Sequence, residues 1–331
     1  MDIAFAVVGC GRIGRRHASI IQALPGMTLK ALVDTDEGAA KGAATAGASD
    51  AGIPFFSSLD ALLSSPLAEH LDVVSITTPN GLHAAQACTA LEAGLHVVIE
   101  KPMALTAADA RKVLETAERT GKRVFTVMQN RYSDSARWLK EVLVSGVRGR
   151  IFMVQLDCYW NRDSRYYGKG GWHGTKELDG GALYTQFSHW IDMLYWLFGD
   201  ITRIERRMEN FNHQETTDFE DSGLVTFDFV RGGMGALHFS TAVWDRNLES
   251  NMTIVAEFGS IKIGGQYMER VEYCHGRDLE APPMGLPADA DAHHRDLFTN
   301  ALQVLRGRAG IDIDPADGCK VVEIIERIYK G

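Results

Sequence analysis

Along the first third of the chain, short aliphatic runs, "IAFAVVG", "LKALVD", "LDVVSITT", "LHVVIE" and "RVFTVM", alternate with stretches of helical period such as "LHAAQACTALEAG" and "AADARKVLETAERTG". Runs that are apolar on both sides, separated by helices, predict a parallel sheet covered on both faces. From about residue 150 the period changes. In "IFMVQLDCYW" the residues Phe152, Val154, Leu156, Cys158 and Trp160 share one face, and "SGLVTFDFV" and "GALHFSTAVW" alternate likewise across an "RGG" hairpin turn. That pattern predicts an antiparallel sheet with one buried face. One helix over 182–198 interrupts it, and "DGCKVVEIIERIYK" closes the chain. The expected class is α/β: a doubly wound domain over 1–125, then an α/β domain over 126–331 with a large, mainly antiparallel open sheet.

The 331 residues, 45% hydrophobic and 23% charged, suffice for two domains that each bury a core. A formal charge of -9, with acids and bases mixed along the chain, leaves no broad basic surface, which argues against nucleic acid and anionic lipid as partners. The opening "MDIAFAVVGCGRIG" lacks a basic leader and its apolar run breaks at glycine, so it reads as neither signal peptide nor membrane span. A cytoplasmic protein is expected. Cys10, Cys88, Cys158, Cys274 and Cys319 are scattered and odd in number, so reduced thiols are expected rather than a disulfide framework or zinc site.

"GCGRIG" places Gly9, Gly11 and Gly14 in GxGxxG spacing, after a strand and before a helical pattern. Glycines there allow a tight turn and the approach of a pyrophosphate to helix N-terminal N–H groups. Asp34 ends the second strand, where a carboxylate accepts the adenosine ribose hydroxyls, and the negative Asp36 and Glu37 would repel a 2′-phosphate. The cofactor predicted is NAD, on a Rossmann domain. The next strand ends in "TTPNGLH", so Thr78 and Asn80 point at the cofactor crevice; His83 either reaches it too or packs at a helix start. In "VVIEKPMAL", Pro102 holds Lys101 in an extended or turn conformation where the strand stops, with Glu100 beside it.

In the 182–198 helix, Leu183, Phe187, Ile191, Leu194 and Phe198 fall on one face and Thr185, His189 and Asp192 on the opposite one. A histidine that takes a hydroxyl proton and a lysine that stabilises the alkoxide are what oxidation of a secondary alcohol needs, which makes His189 and Lys101 the candidates. No Ser/His/Asp set or metal-ligand cluster competes. Arg131, Arg162, Arg165 and Lys169 offer positive charge in an acidic protein, suited to a carboxylate and a diphosphate. The aromatics Tyr159, Trp160, Tyr166, Tyr167 and Trp172 suit stacking on sugar or nicotinamide.

"GCGRIG", "TTPNGLHAAQ", "GLHVVIEKPMAL" and "ELDGGALYTQFSHWIDMLYWL" resemble the Gfo/Idh/MocA family of dinucleotide-dependent oxidoreductases over essentially the whole chain. The resemblance implies a Rossmann domain, a second domain whose open sheet makes dimer or tetramer contacts, and Lys101 and His189 as the catalytic pair. Cofactor contacts are implied for Gly9, Gly11, Arg12, Ile13, Gly14, Asp34, Thr78, Asn80, His83, Glu100, Lys101, Asn130 and Trp172. Many members carry aspartate where this chain has Thr185, so a relay through that carboxylate is not expected.

"QNRYS", "YWNRDSRYY" and "GRAGIDIDPADGCKVVEIIERIY" are similar to the subgroup that oxidises C3 of UDP-N-acetyl-glucosaminuronate in surface-polysaccharide (lipopolysaccharide) synthesis, of the WlbA/WbpB type. Substrate contacts are then implied for Lys101, Arg131, Arg162, Arg165, Tyr166, Thr185, Gln186 and His189. The 283–294 loop, "PMGLPADADAHH", departs from the subgroup in being short and without lysine. Dehydrogenation of a free sugar or inositol stays open, as does a non-catalytic NAD-binding sensor.

Overall fold

The computed structural model describes residues 2–47, 52–168, 170–282 and 291–331. Lys169 and residues 283–290, singled out in the sequence, lie outside the described residues. The chain forms two compact units: Met1–Gln129 with Asp289–Val322, and Asn130–Ala288 with Glu323–Gly331. A single boundary after residue 125 was expected; the chain instead returns to the first unit near its end.

In the first unit six parallel strands, β1 (Ile3–Val8), β2 (Met27–Val33), β3 (Phe55–Phe56), β4 (Val73–Ile76), β5 (His96–Ile99) and β6 (Val124–Thr126), stand in the order 3-2-1-4-5-6. Phe5, Val7, Val74, Val97 and Val98 are fully buried, as strands covered on both faces require. The order reverses between β1 and β4, which opens a crevice at their carboxyl ends. Two-residue β3 carries too little pattern to be read from sequence. Helix Ala292–Leu305 supplies part of this core, with Phe298 6.0 Å from Phe5 ring to ring.

In the second unit seven strands, β7 (Ile151–Tyr159), β8 (Ile201–Glu209), β9 (Ser222–Phe229), β10 (Met234–Ser240), β11 (Glu249–Ala256), β12 (Gly259–Gly264) and β13 (Arg270–Gly276), are ordered 13-12-11-7-10-9-8. Every pair is antiparallel except β10 with β7. Val154, Leu156, Cys158 and Trp160 are buried on one face as expected, but Phe152 stays 44% exposed, its ring under the Arg150 guanidinium. The β9–β10 hairpin turns on Gly232 and Gly233 at φ +95° and +91°, a conformation that favours glycine.

The helix expected over 182–198 is two helices, Ala182–Thr185 and Ser188–Phe198. Between them Phe187 leaves helical geometry and buries its ring 5.1 Å from Trp160 and 5.5 Å from Phe239. Sheet packing thus overrides the helical period, and the stripe of Thr185, His189 and Asp192 does not survive as one polar face. Among the described residues no helix is long and apolar enough to cross a membrane.

Candidate active site

The glycine-rich turn follows β1 directly. Gly9 has φ +90°, and a Cβ on it would come within 2.7 Å of the Thr77 and Thr78 backbone, so only glycine lets the turns after β1 and β4 approach this closely. A Cβ on Gly14 would sit 1.9 Å from the Gly9 carbonyl oxygen. Above Gly11, by contrast, a Cβ would meet nothing within 4 Å. The helix Arg12–Ala23 starts there without a side-chain cap or an acid in its first turn. Its leading N–H groups, those of Arg12, Ile13 and Gly14, therefore suit an anion. The Asp34 carboxylate accepts from the Cys10 and Asp36 amides at 2.6 and 2.9 Å, which draws it up to the turn. Each oxygen keeps further acceptor capacity for ribose hydroxyls. Burial, with the Asp34 charge beside it, pushes the Cys10 thiol up to about 12. These residues fit NAD.

At the end of β5, Lys101 is half-buried and its amide donates to Glu100 Oε2 at 3.2 Å; the Lys101–Pro102 peptide is cis. The other Glu100 oxygen accepts from His17 Nε2 at 3.1 Å and lies 3.9 Å from His294 Nε2, while His17 Nδ1 meets Ser75 Oγ at 2.8 Å. Burial acts to raise Glu100, but the His17 hydrogen bond and the surrounding positive charge hold it at about 2. Burial pushes His294 down to about 3. The spacing of His17, Glu100 and His294 would suit a metal ion, but both His17 nitrogens already have hydrogen-bond partners. Sequence reading missed His17 and the approach of His294 to Glu100, because nothing local marks residues that converge only in the fold.

His83, read from sequence either as a cofactor contact or as packing at a helix start, uses both ring nitrogens on backbone carbonyls, Nδ1 on Pro102 and Nε2 on Thr78, each at 2.8 Å. Burial lowers its pKa while those two carbonyls favour the charged ring. It is a strut between the loops after β4 and β5. The Thr78 hydroxyl donates to Gln86 at 2.6 Å, and Asn80 is buried beside it in sequence.

In the second unit His189 is half-buried, the second residue of helix Ser188–Phe198. Arg162, Gln186 and Tyr166 come together: Arg162 Nε donates to Gln186 Oε1 at 2.6 Å and Gln186 Nε2 to Tyr166 Oη at 2.8 Å. The Arg162 guanidinium also lies over Trp160 and Tyr166. Trp172 joins the group through His173, whose ring is 3.8 Å from Trp172 and 4.2 Å from Tyr166. Arg165 is exposed and clasps Asp163 with Nε and Nη2, holding that carboxylate at about 2. Trp160 and Tyr167, expected as stacking surfaces, are buried instead.

Two further expectations change. Arg131 is buried, with Nε 3.1 Å from both Asp192 oxygens and Nη2 2.5 Å from Oδ1, so its charge is matched inside the protein rather than offered to substrate. Thr185, placed on the cleft side, donates its hydroxyl to the carboxylate of buried Asp179 and to the Asp179 carbonyl at 3.0 Å. Asp179 also accepts from the Gly174 amide at 2.8 Å. The sequence signal for it was the "LDGG" run before the helix. Asn130 is buried with no partner for its amide oxygen or nitrogen among the described residues.

Residues 3–128 match the "Oxidoreductase family, NAD-binding Rossmann fold" of the GFO/IDH/MocA proteins, and residues 136–262 match the "GFO/IDH/MocA C-terminal domain". Over its whole length the chain is similar to the WlbA dehydrogenase of Bordetella pertussis, solved with NADH and UDP-GlcNAcA, at 31% identity and TM-score 0.87, covering 96% of that chain. It is 27% identical to the D-glucoside 3-dehydrogenase of Escherichia coli over 80% of this chain and 78% of that enzyme. To the inositol 2-dehydrogenase/D-chiro-inositol 3-dehydrogenase of Halalkalibacterium halodurans it is 31% identical over 60% of this chain and 54% of the enzyme. The chain likewise spans only 64% of the length of an uncharacterised Synechocystis oxidoreductase.

Proposed function

The chain belongs to the GFO/IDH/MocA oxidoreductases, and on that premise we propose that it oxidises a secondary hydroxyl of a nucleotide-linked sugar, at C3 of a UDP-N-acetyl-hexuronic acid. The observation that carries this reading is the Arg162–Gln186–Tyr166 cluster, which ties a guanidinium and an aromatic ring to Gln186, three residues before His189 in sequence. A carboxylate or diphosphate needs such a fork, whereas a neutral polyol does not. The full-length similarity to a dehydrogenase holding NADH and UDP-GlcNAcA supports it.

NAD, when bound, supplies the acceptor for the hydride that leaves the sugar carbon. His189, as neutral imidazole, takes the hydroxyl proton. The Lys101 ammonium stabilises the alkoxide that forms before the ketone. Asp34 and the glycine turn would hold the adenosine ribose and pyrophosphate, and Glu100, tied to His17, fixes the backbone at Lys101. The chain acts as a dimer or tetramer through the open face of its second sheet; a single monomeric species in sedimentation at working concentration would overturn that part.

The test is NADH absorbance on mixing protein and NAD with UDP-N-acetyl-glucosaminuronate, its uncharged parent, free sugars and inositol. Turnover of the uronate, abolished by Arg162→Met, supports the proposal. Turnover of free sugars alone, indifferent to Arg162→Met, sinks it in favour of a second reading. That reading, a glycoside or inositol dehydrogenase, is favoured by the similarity to enzymes of those substrates.

A further inference from the structure

The short helix Ala182–Thr185 has no side-chain cap of its own. The Gly181 carbonyl accepts from the Tyr184 and Thr185 amides at 3.1 and 3.2 Å, which leaves the Ala182 and Leu183 amides without an acceptor inside the turn. Two residues remote in sequence face them. Tyr329 Oη accepts from the Leu183 amide at 3.1 Å and donates to Glu220 Oε1 at 2.5 Å. The Glu220 carboxylate faces the Ala182 amide, which favours its charged form. Gly180 and Gly181 have φ +92° and +134°, and a Cβ on Gly181 would lie 2.3 Å from Tyr329 Oη, so glycine is what admits the hydroxyl. The Tyr329 ring stacks on Tyr184, 5.6 Å between centroids and 18° between planes, which fixes its direction.

An apolar pair would pack this turn without the cost of burying a carboxylate. Burial pushes Glu220 up to about 7 against the pull of Tyr329, the Ala182 amide and Arg206. What the apolar pair would lack is a hold on two specific amides at the start of the segment that carries Thr185, Gln186 and His189.

We propose that Glu220 and Tyr329 are positioning residues for catalysis, capping from outside the turn that sets the His189 segment. The proposal rests on the reading of His189 as the base. The groups that face Glu220 are the Tyr329 hydroxyl, the Ala182 amide, its own backbone and the Arg206 guanidinium. Tyr184 lies beyond the Tyr329 ring, with Glu326 next to it. Ionised Glu220 accepts from the Tyr329 hydroxyl and favours the Ala182 amide beside it, so the hold is complete when Glu220 is charged and weaker when it is protonated.

The test uses the full chain with Tyr329→Phe and Glu220→Gln, both close in volume to the native residue. Hydrogen exchange at the Ala182 and Leu183 amides needs no substrate, and both variants should exchange about tenfold faster there. NADH affinity should stay within twofold. With a turned-over sugar, kcat should fall about tenfold at little-changed KM. Should no sugar react, the His189 imidazole titration read by NMR replaces kcat, and its midpoint should move by about half a pH unit. Failure of the substrate proposal therefore leaves this test standing. Native exchange at both amides would overturn the clamp. Faster exchange with native kcat, or a native His189 midpoint, would reduce the pair to a structural cap and overturn the positioning role.

Discussion

Lys101 stands where β5 ends, its amide on one oxygen of Glu100 while His17 holds the other. On the proposed reading the pyrophosphate and adenosine ribose rest on Gly9 to Gly14 and Asp34, so removing the ammonium should leave most of the NAD affinity in place. Lys101→Met should cut kcat/KM by a factor of about 10³, while fluorescence titration finds NADH affinity within severalfold of native. Near-native turnover would remove Lys101 from the chemistry. The motif residues were legible in sequence because their chemistry demands a particular side chain at a particular spacing. Their partners were not. Arg131 reads as a substrate cation until Asp192, 61 positions on, is seen against it, and the His17–Glu100–His294 cluster draws on three distant stretches.

Among the elements, helix Ser188–Phe198 is anchored by the same buried Arg131–Asp192 pair. Breaking one partner of such a pair leaves an uncompensated buried charge, so Asp192→Asn should lower stability by about 3–5 kcal/mol in denaturant unfolding. Exchanging both partners for apolar residues should cost much less. A small loss in the single variant would mean that water reaches the guanidinium. The parallel strands were legible because burial on both faces leaves a continuous apolar run. Edge strand β8, "ITRIERRME", gave no such signal, since most of its side chains face water. The break at Phe187 was hidden because Phe187 falls on the apolar face of an unbroken helix as well as it fills the space against the sheet.

For the whole molecule, His294, Glu100 and Glu220 are among the groups that make stability vary with pH, and His83 and His96, both lowered by burial, act in the same sense as His294. His294 is held at about 3, so from pH 6.5 downward the unfolded chain takes up a proton that the folded one refuses, and stability falls with acid. Glu100, held at about 2, adds to that loss below pH 4.5. Glu220 acts the other way. It sits near 7, so between 4.5 and 7 the folded chain keeps a proton that the unfolded chain has released, and stability declines as pH rises. Melting temperature against pH should therefore pass through a maximum on the acid side of neutrality. His294→Leu should make the fall on the acid side shallower, and Glu220→Gln should flatten the decline up to pH 7. An unchanged curve in both variants would put the pH dependence elsewhere.

The return of residues 289–322 to the first unit has a consequence for synthesis on the ribosome. The NAD-binding unit is the first begun but waits for most of the second to be made, because Phe298 reaches the Phe5 core, and Arg306 the Gly26 carbonyl, only after residues 130–288 have been synthesised. Nascent chains stalled after residue 282 should bind NADH poorly and stay protease-sensitive at their N-terminal strands. Those stalled far enough beyond residue 322 to clear the exit tunnel should acquire both properties together.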